Sequence, residues 1–364
     1  MLRGAQLCSS TYYSISLPRW VHFIFIVSMK RLFYTDEKSE NRFFHWILWR
    51  QPSYGWLLLD EETQEVRVFL DGRYFAMDIQ QHPDFHIKKI LLNDRISVLL
   101  STYITTWESI TLEQSLPWWV VEWLKKSDLE AQRLFEDVSW QRGKRMCKSP
   151  QAIQYTREAI QKTEEIWEWI EDIATSWEIL WLTELELRWK IIQKALRLGC
   201  EDEAFPTIVA SGAHSALPHH ATSATKIQAW PLLVDMWFRW HGWCSDFTRV
   251  VWVWNDGVQW VSRNEFEDIV SIVQQAHDTA RDMVALWVAF QDIAVAARRV
   301  IEAAWYGDYF PHSLWHGVWL DVHEAPGVSS RSKDRIEKGM IFTIEPGIYL
   351  PGKFGVRWEN IVIV

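Results

Sequence analysis

Four acids, placed symmetrically about two turns, constrain this chain more than any other feature. Residues 311–364 read PHSLWHGVWLDVHEAPGVSSRSKDRIEKGMIFTIEPGIYLPGKFGVRWENIVIV. Glu345 and Glu359 are equidistant from Gly352, and the β-rich runs MIFTIE and NIVIV flank the turn residues LPGKFG. If TIEPGIYL and VRWENIVIV pair antiparallel about that turn, the two carboxylates face each other at a cross-strand Cβ separation of roughly 5 Å. Two unrelated surface glutamates are the plainer reading. A second pair weighs against it. In LLVDMWFRWHGWCSDFTRVVWV, Asp235 and Asp246 are symmetric about the point between Trp240 and His241. A hairpin turning at RWHGW sets Asp235 opposite Asp246. An acid inside an apolar strand is costly to bury unless it is paired or holds a metal.

Three histidines, His312, His316 and His323, fall within twelve residues of the same stretch. Four acids on two hairpins with a histidine cluster argue for a two-metal carboxylate site. An oxygen-rich ligand set with one imidazole suits Mn, Co, Zn or Fe and does not choose among them.

A length of 364 residues allows about two domains. The net charge of −9 disfavours a nucleic-acid partner. Cys8, Cys147, Cys200 and Cys244 are scattered without a CxxC, which fits reduced thiols in a cytoplasmic protein. No apolar run reaches the eighteen residues of a membrane span, and the run at 20–29 has the length of a buried strand. Residues 1–19 are polar where the core of a signal peptide is apolar.

Residues 20–145 alternate strand-like and helix-like runs. YGWLLLD and VRVFL read as a hairpin, Asp71-Gly72 closes its second strand, RYFAMDIQQH reads as a helix start, and KKILLN, ISVLL and WWVVEWL extend the α/β pattern. No catalytic constellation stands out here, so a structural or substrate-shielding role is expected. A boundary near 143–150 separates domains at 1–145 and 146–364. Ser149-Pro150 reads as an N-cap and first turn. Ile153, Ile160, Thr163, Trp167, Ile170 and Ala174 then recur at helical spacing. Thr183 with Glu186 forms a capping box for a second helix that stops at Gly199. Ser262 with Glu265 reads as another box, opening a helix toward Met283, and a fourth helix covers about 289–304. Each helix pair is followed by acid-bearing strands, so an α+β fold of two similar ααββ halves is expected, with metals between them.

His219 and His220 sit in a loop after Pro218, where histidines are commonly plain surface residues. Ser211 and Ser215 lack the GxSxG elbow of a serine nucleophile. Cys244 shares strand parity with Asp246, with a packing role expected. The His323-Glu324 pair is not HExxH, which excludes a zincin-type site.

ASGAHSALPHHATS, LLVDM, CSDFTR, HGVWLDVHEAPGVSS, GMIFTIEPGIY and VRWEN, in this order across 148–364, closely resemble the Xaa-Pro aminopeptidases and prolidases. The N-terminal half faintly resembles the creatinase-type domain of the same enzymes. The resemblance implies a pita-bread catalytic domain binding two divalent metals, Mn2+ first, with Co2+, Zn2+ or Fe2+ as alternatives. It assigns Asp235, Asp246, His316, Glu345 and Glu359 as metal ligands, with Asp246 and Glu359 bridging. His219, His312, His323 and Arg357 then line the substrate pocket. Glu345 would shuttle the proton, His323 would donate to the developing oxyanion, and His219 would stand beside them. Substrates would be short peptides with proline in second position. Members of the family are often dimers or tetramers, so a homodimer is expected.

The chain departs from that pattern in its glycines. It holds 26 Trp and only 15 Gly. Trp237, Trp315, Trp319, Trp254 and Trp305 stand at family glycine positions, and Trp358 stands where a smaller aliphatic is usual. Glycine serves positive φ or close backbone approach, so each exchange implies strain or overpacking. Trp315 and Trp319 flank His316 and are expected to misplace it or block the pocket. Two classes of function stay open: a dinuclear Xaa-Pro peptidase, or a catalytically impaired protein of the same fold that binds peptides or partner proteins. A metal-free creatinase-like enzyme would have no use for five ligands. A single-domain methionine aminopeptidase is disfavoured by the residues that precede the catalytic half.

Overall fold

The computed structural model describes residues 29–36, 47–48, 54–70, 72, 75–76, 84–92, 96–103, 109–112, 134–136, 143, 145–227, 231–253, 262–320, 323–328 and 332–364. Asp71, Trp254, the WWVVEWL run, and RYFAMDIQQH apart from Phe75 and Ala76 lie outside them.

The first half of the chain builds a six-stranded mixed sheet from β1 (Met29–Asp36), β2 (Tyr54–Asp60), β3 (Glu65–Leu70), β4 (His86–Leu91), β5 (Ser109–Leu112) and β6 (Leu134–Glu136), in the order β4-β3-β2-β1-β5-β6. α1 (Ile96–Tyr103) lies between β4 and β5 in sequence. β2 and β3 form the expected hairpin, with Asp60 opposite Glu65. Asp60 Oδ1 accepts from the amides of Glu62 and Thr63 at 3.1 Å, the local side-chain bond that makes Asp a turn former.

The second half repeats one unit. α2 (Pro150–Ala174) starts where Ser149 Oγ accepts from Ala152 N. α3 (Glu184–Arg197) starts at a complete capping box, Thr183 with Glu186, and ends before Gly199, whose φ of +89° suits only glycine well. Their apolar faces, including Ile166, Ile170, Leu187 and Ile191, pack on Val234 and Met236. Those two belong to a three-stranded sheet of β7 (Ile208–Ser211), β8 (Pro231–Met236) and β11 (Phe247–Trp252), with β8 central. Between β8 and β11 lies a small ladder of β9 (Arg239–Trp240) and β10 (Trp243–Cys244).

α4 (Arg263–Asp282) and α5 (Phe290–Ala303) make the second helix pair. Ile269, Val273, Ile293 and Ala297 pack against Phe342, Ile344 and Ile348. The strands here are β12 (Trp315–Gly317), β13 (Glu324–Val328), β14 (Ile341–Ile344), β15 (Gly347–Leu350), β16 (Phe354–Arg357) and β17 (Asn360–Ile363). They form a sheet ordered β13-β12-β14-β17 and a separate β15-β16 ribbon. The expected second capping box does not form. Ser262 makes no side-chain cap bond, and Glu265 Oε1 instead accepts from Lys353 Nζ at 2.8 Å.

The two hairpins differ in how they meet expectation. Gly347 stands opposite Arg357 and Ile344 opposite Asn360, one register about Gly352 (φ +73°). Glu345 and Glu359 therefore occupy the gap between the two ladders, across from each other. The other register is shifted. Asp235 pairs with Thr248, not Asp246, because the two-residue turn is His241-Gly242, both at positive φ (+51° and +79°), one residue later than expected, and the β8–β11 and β9–β10 ladders share one register about it.

Candidate functional site

The two halves bring their acid-bearing strands to one place. Asp246, His316 and Glu359 offer ligand atoms that all lie within 4.8 Å of one another. His316 Nε2 is 3.6 Å from Asp246 Oδ2 and 3.5 Å from Glu345 Oε1. Asp235, on the neighbouring strand, is turned to a different partner, with Arg357 Nη2 at 2.7 Å from its Oδ2. Above this floor opens a cavity of about 280 Å³, lined in part by His219, Trp237, His312, His323, Glu345 and Arg357.

Burial and like charge dominate the electrostatics. Burial, reinforced by Glu359, Asp235 and Glu345, pushes Asp246 well above the usual carboxylate range. Burial and then Glu359 do the same to Glu345. Glu359 is pushed up to about 7 by burial and by Asp235. Burial, then the neighbouring His323, depresses His316 to about 3, so its imidazole is neutral. Its Nδ1 lies 3.2 Å from the carbonyl of Gly317, which fixes the proton there and leaves the Nε2 lone pair facing two carboxylates.

That arrangement fits a divalent cation. Both oxygens of Asp246 and Oε1 of Glu359 are buried and accept no hydrogen bond. Buried carboxylate oxygens without donors, beside an imidazole lone pair, are the donor set a borderline cation takes.

Arg357 organises the other side. Beyond Asp235 it donates to Thr248 Oγ1 at 3.0 Å, Tyr349 OH at 3.1 Å and the carbonyl of Pro218 at 3.2 Å. Thr248 in turn donates to Glu359 Oε2 at 2.6 Å. His312, depressed to about 4 by burial, donates from Nδ1 to the Ser313 carbonyl and accepts at Nε2 from Tyr349 OH at 2.9 Å. Thr248 and Tyr349 were not singled out in the sequence. Their signals were position alone: Thr248 is the cross-strand partner of Asp235, and Tyr349 lies in β15 close to the turn.

The tryptophans fall differently from expectation. Trp315 and Trp319 are buried in core clusters, although Trp315 also contributes to the cavity lining. Trp315 is buried against Phe290 and Phe342 in the α4–α5 core, because successive residues of β12 point to opposite faces. Trp319 packs on Trp243 with Lys148 over its ring at 5.3 Å. Trp358 lies under the Arg249 guanidinium at 4.0 Å. Trp305 does take a left-handed conformation (φ +68°), with its side chain in solvent. Trp237 sets its ring against the site histidine, His316, and its indole N–H donates to Asp235 Oδ1.

A second cluster escaped the sequence reading. Glu184, fully buried at the start of α3, accepts from Ser211 N at 2.9 Å, Ser223 N at 3.1 Å and Ser223 Oγ at 2.8 Å. His214 Nδ1 and His220 Nε2 meet its two oxygens at 2.8 and 2.9 Å. One carboxylate thus ties both ends of the loop that carries His219. Cys244 is buried and points its thiol toward the Leu320 carbonyl, a packing position. Among the described residues, no helix is long and apolar enough to cross a membrane.

The chain matches the model of metallopeptidase family M24 over residues 151–364. The Xaa-Pro dipeptidase of Pyrococcus horikoshii is 34% identical over 264 residues, covering 71% of this chain and 70% of that protein. The crystal structure of an X-Pro aminopeptidase from Thermotoga maritima superposes with a TM-score of 0.79 at 26% identity, over 93% of each chain. A prolidase structure from Pyrococcus horikoshii superposes with a TM-score of 0.77 at 26% identity, over 93% of this chain and 91% of that one.

Proposed function

The chain belongs to metallopeptidase family M24, and from that premise we propose that it hydrolyses the bond preceding proline at the N-terminus of short peptides. The observation that carries this reading is the set of buried acid oxygens without donors on Asp246 and Glu359, facing the His316 lone pair at the floor of an open cavity. Of the five expected ligands, Asp246, His316, Glu345 and Glu359 would hold a divalent cation, Mn2+ first, and Asp235 would be needed for a second. When bound, such cations lower the pKa of water and polarise a carbonyl.

The chain's own groups supply the rest. Glu345 keeps part of its side chain open to the cavity and has a raised proton affinity, so it can take a proton from water and return it to the leaving amine. His323, with its ring 4.4 Å from His316, stands at the cavity wall where it can donate to a developing oxyanion. His219 and His312 flank the opening. Arg357 is locked by four acceptors and presents a fixed positive charge to a substrate carbonyl or carboxylate.

The test is a manganese-loaded assay comparing an Xaa-Pro dipeptide with an Xaa-Pro tripeptide, with Glu345→Gln as control. Release of the first residue by the parent chain and its loss in the control is expected. No release from either peptide overturns the reading. A second reading, a protein that holds peptides without cutting them, is favoured by one observation only: the Trp237 indole bonded to Asp235.

A further inference from the structure

The four site carboxylates are not equivalent. Asp246 Oδ1, Asp246 Oδ2 and Glu359 Oε1 accept no hydrogen bond. Asp235 has donors on both oxygens: the Trp237 indole N–H on Oδ1 and Arg357 Nη2, 2.7 Å from Oδ2. Asp235 is engaged by the Arg357 guanidinium, whereas Asp246 and Glu345 each face the neutral His316 imidazole.

Trp237 is held in this position on several sides. It is 5% exposed. Its ring lies 15° from parallel to His316 with centroids 5.5 Å apart, and meets Phe205 at 5.7 Å and His323 at 5.6 Å. A cation on Asp235 would need a carboxylate–metal distance of about 2.0–2.2 Å in space that the indole edge fills. Opening that space means breaking a charge-assisted hydrogen bond and an aromatic stack together.

We infer that Trp237 sets the cation stoichiometry of this site. It keeps Asp235 as a hydrogen-bond acceptor instead of a ligand, so the chain fills the Asp246–His316–Glu345–Glu359 side with one ion and excludes the second. Trp237 acts here as a positioning residue, through Asp235. The inference rests on the metal-dependent reading above and specifies how that site loads.

The test is metal content, independent of activity. Chelator-stripped full-length parent, Trp237→Gly and Trp237→Phe are titrated with MnCl2 in a calorimeter, then desalted and analysed for manganese. Trp237→Gly empties the space, and Trp237→Phe removes the N–H while keeping a ring, so a folding defect in one leaves the other to report. The expected result is about one ion per chain for the parent and about two for at least one variant, the added ion binding at least tenfold tighter than any second ion in the parent. Two ions in the parent, or one in parent and both variants, overturns the inference. No manganese in any of the three proteins overturns the metal-dependent reading instead, so the two failures are distinguishable.

Discussion

Arg357 and Asp235 form a buried ion pair at 2.7 Å that joins the β15–β16 hairpin to β8, the central strand of the three-stranded sheet. The pair is one contact of four, since the same guanidinium also reaches Thr248, Tyr349 and Pro218. Removing one partner leaves an uncompensated charge. Arg357→Met is expected to lower stability by about 3–5 kcal/mol, read from urea-denaturation midpoints. A loss below about 1 kcal/mol would mean that Asp235 finds another partner.

Glu184 gives a prediction at the acid end of the pH scale. Burial alone would raise its pKa, but the hydrogen bonds from Ser211, His220, His214 and Ser223 outweigh burial and hold it below the usual range. A depressed carboxylate contributes stability above its unfolded pKa of about 4.5 and loses it as pH falls through the folded value. The parent is therefore expected to lose stability below pH 4.5 more steeply than Glu184→Gln. In the variant, proteolytic nicking of the loop at 212–222 should rise several-fold at neutral pH. Equal nicking in the two proteins would show that the loop is held by other contacts.

Two tryptophans occupy left-handed backbone, Trp287 at φ +71° and Trp305 at φ +68°, and both side chains are exposed. The conformation costs a residue with a Cβ about 1–2 kcal/mol, and glycine avoids it. Little burial is lost on truncation. Trp305→Gly and Trp287→Gly are each expected to stabilise the chain by about 1 kcal/mol, after allowing for the added freedom of glycine in the unfolded state. A destabilised variant would show that the indole makes contacts worth more than the strain.

Metal removal should reshape the pH dependence of stability. Glu359 is pushed up to about 7 by burial and by Asp235, and Asp246 and Glu345 are raised as well. A raised carboxylate favours the folded state in its neutral form. That contribution is complete below the unfolded pKa of about 4.5 and is lost as pH rises through the folded one, on the order of 3 kcal/mol for a shift of this size. Stripped protein should therefore be more stable at pH 5.5 than at pH 8, and Glu359→Gln should flatten the difference. Adding Mn2+ should restore stability mainly at pH 8. The comparison is made by denaturant midpoints at both pH values, and a stripped protein with no pH dependence over that range would contradict it.

Local sequence was sufficient wherever the determining interaction is itself local. The turn at Gly352 and the register that carries Glu345 and Glu359 follow from a period-two pattern about a glycine at positive φ. The Thr183–Glu186 box formed because both partners sit in one turn of helix. Ser262 and Glu265 carry the same signature, yet Glu265 found Lys353, 88 positions away. The Asp235 hairpin differs from the expected register because its turn takes His241-Gly242, both at positive φ, and which two residues of RWHGW adopt left-handed backbone is not written in the alternation of the flanking strands.

The sequence by itself determined the two helix pairs, the acid-bearing hairpins and the residue types that could meet a cation, since these follow from periodicity and composition over short spans. Tertiary structure alone decided which side chains share the site. Trp315 is adjacent to His316 in the chain but points to the opposite face of β12, into the core. Trp237, 79 positions away from His316 in the chain, stacks on its ring. Strand geometry separates neighbours in sequence, and the packing of one half on the other brings distant residues into contact.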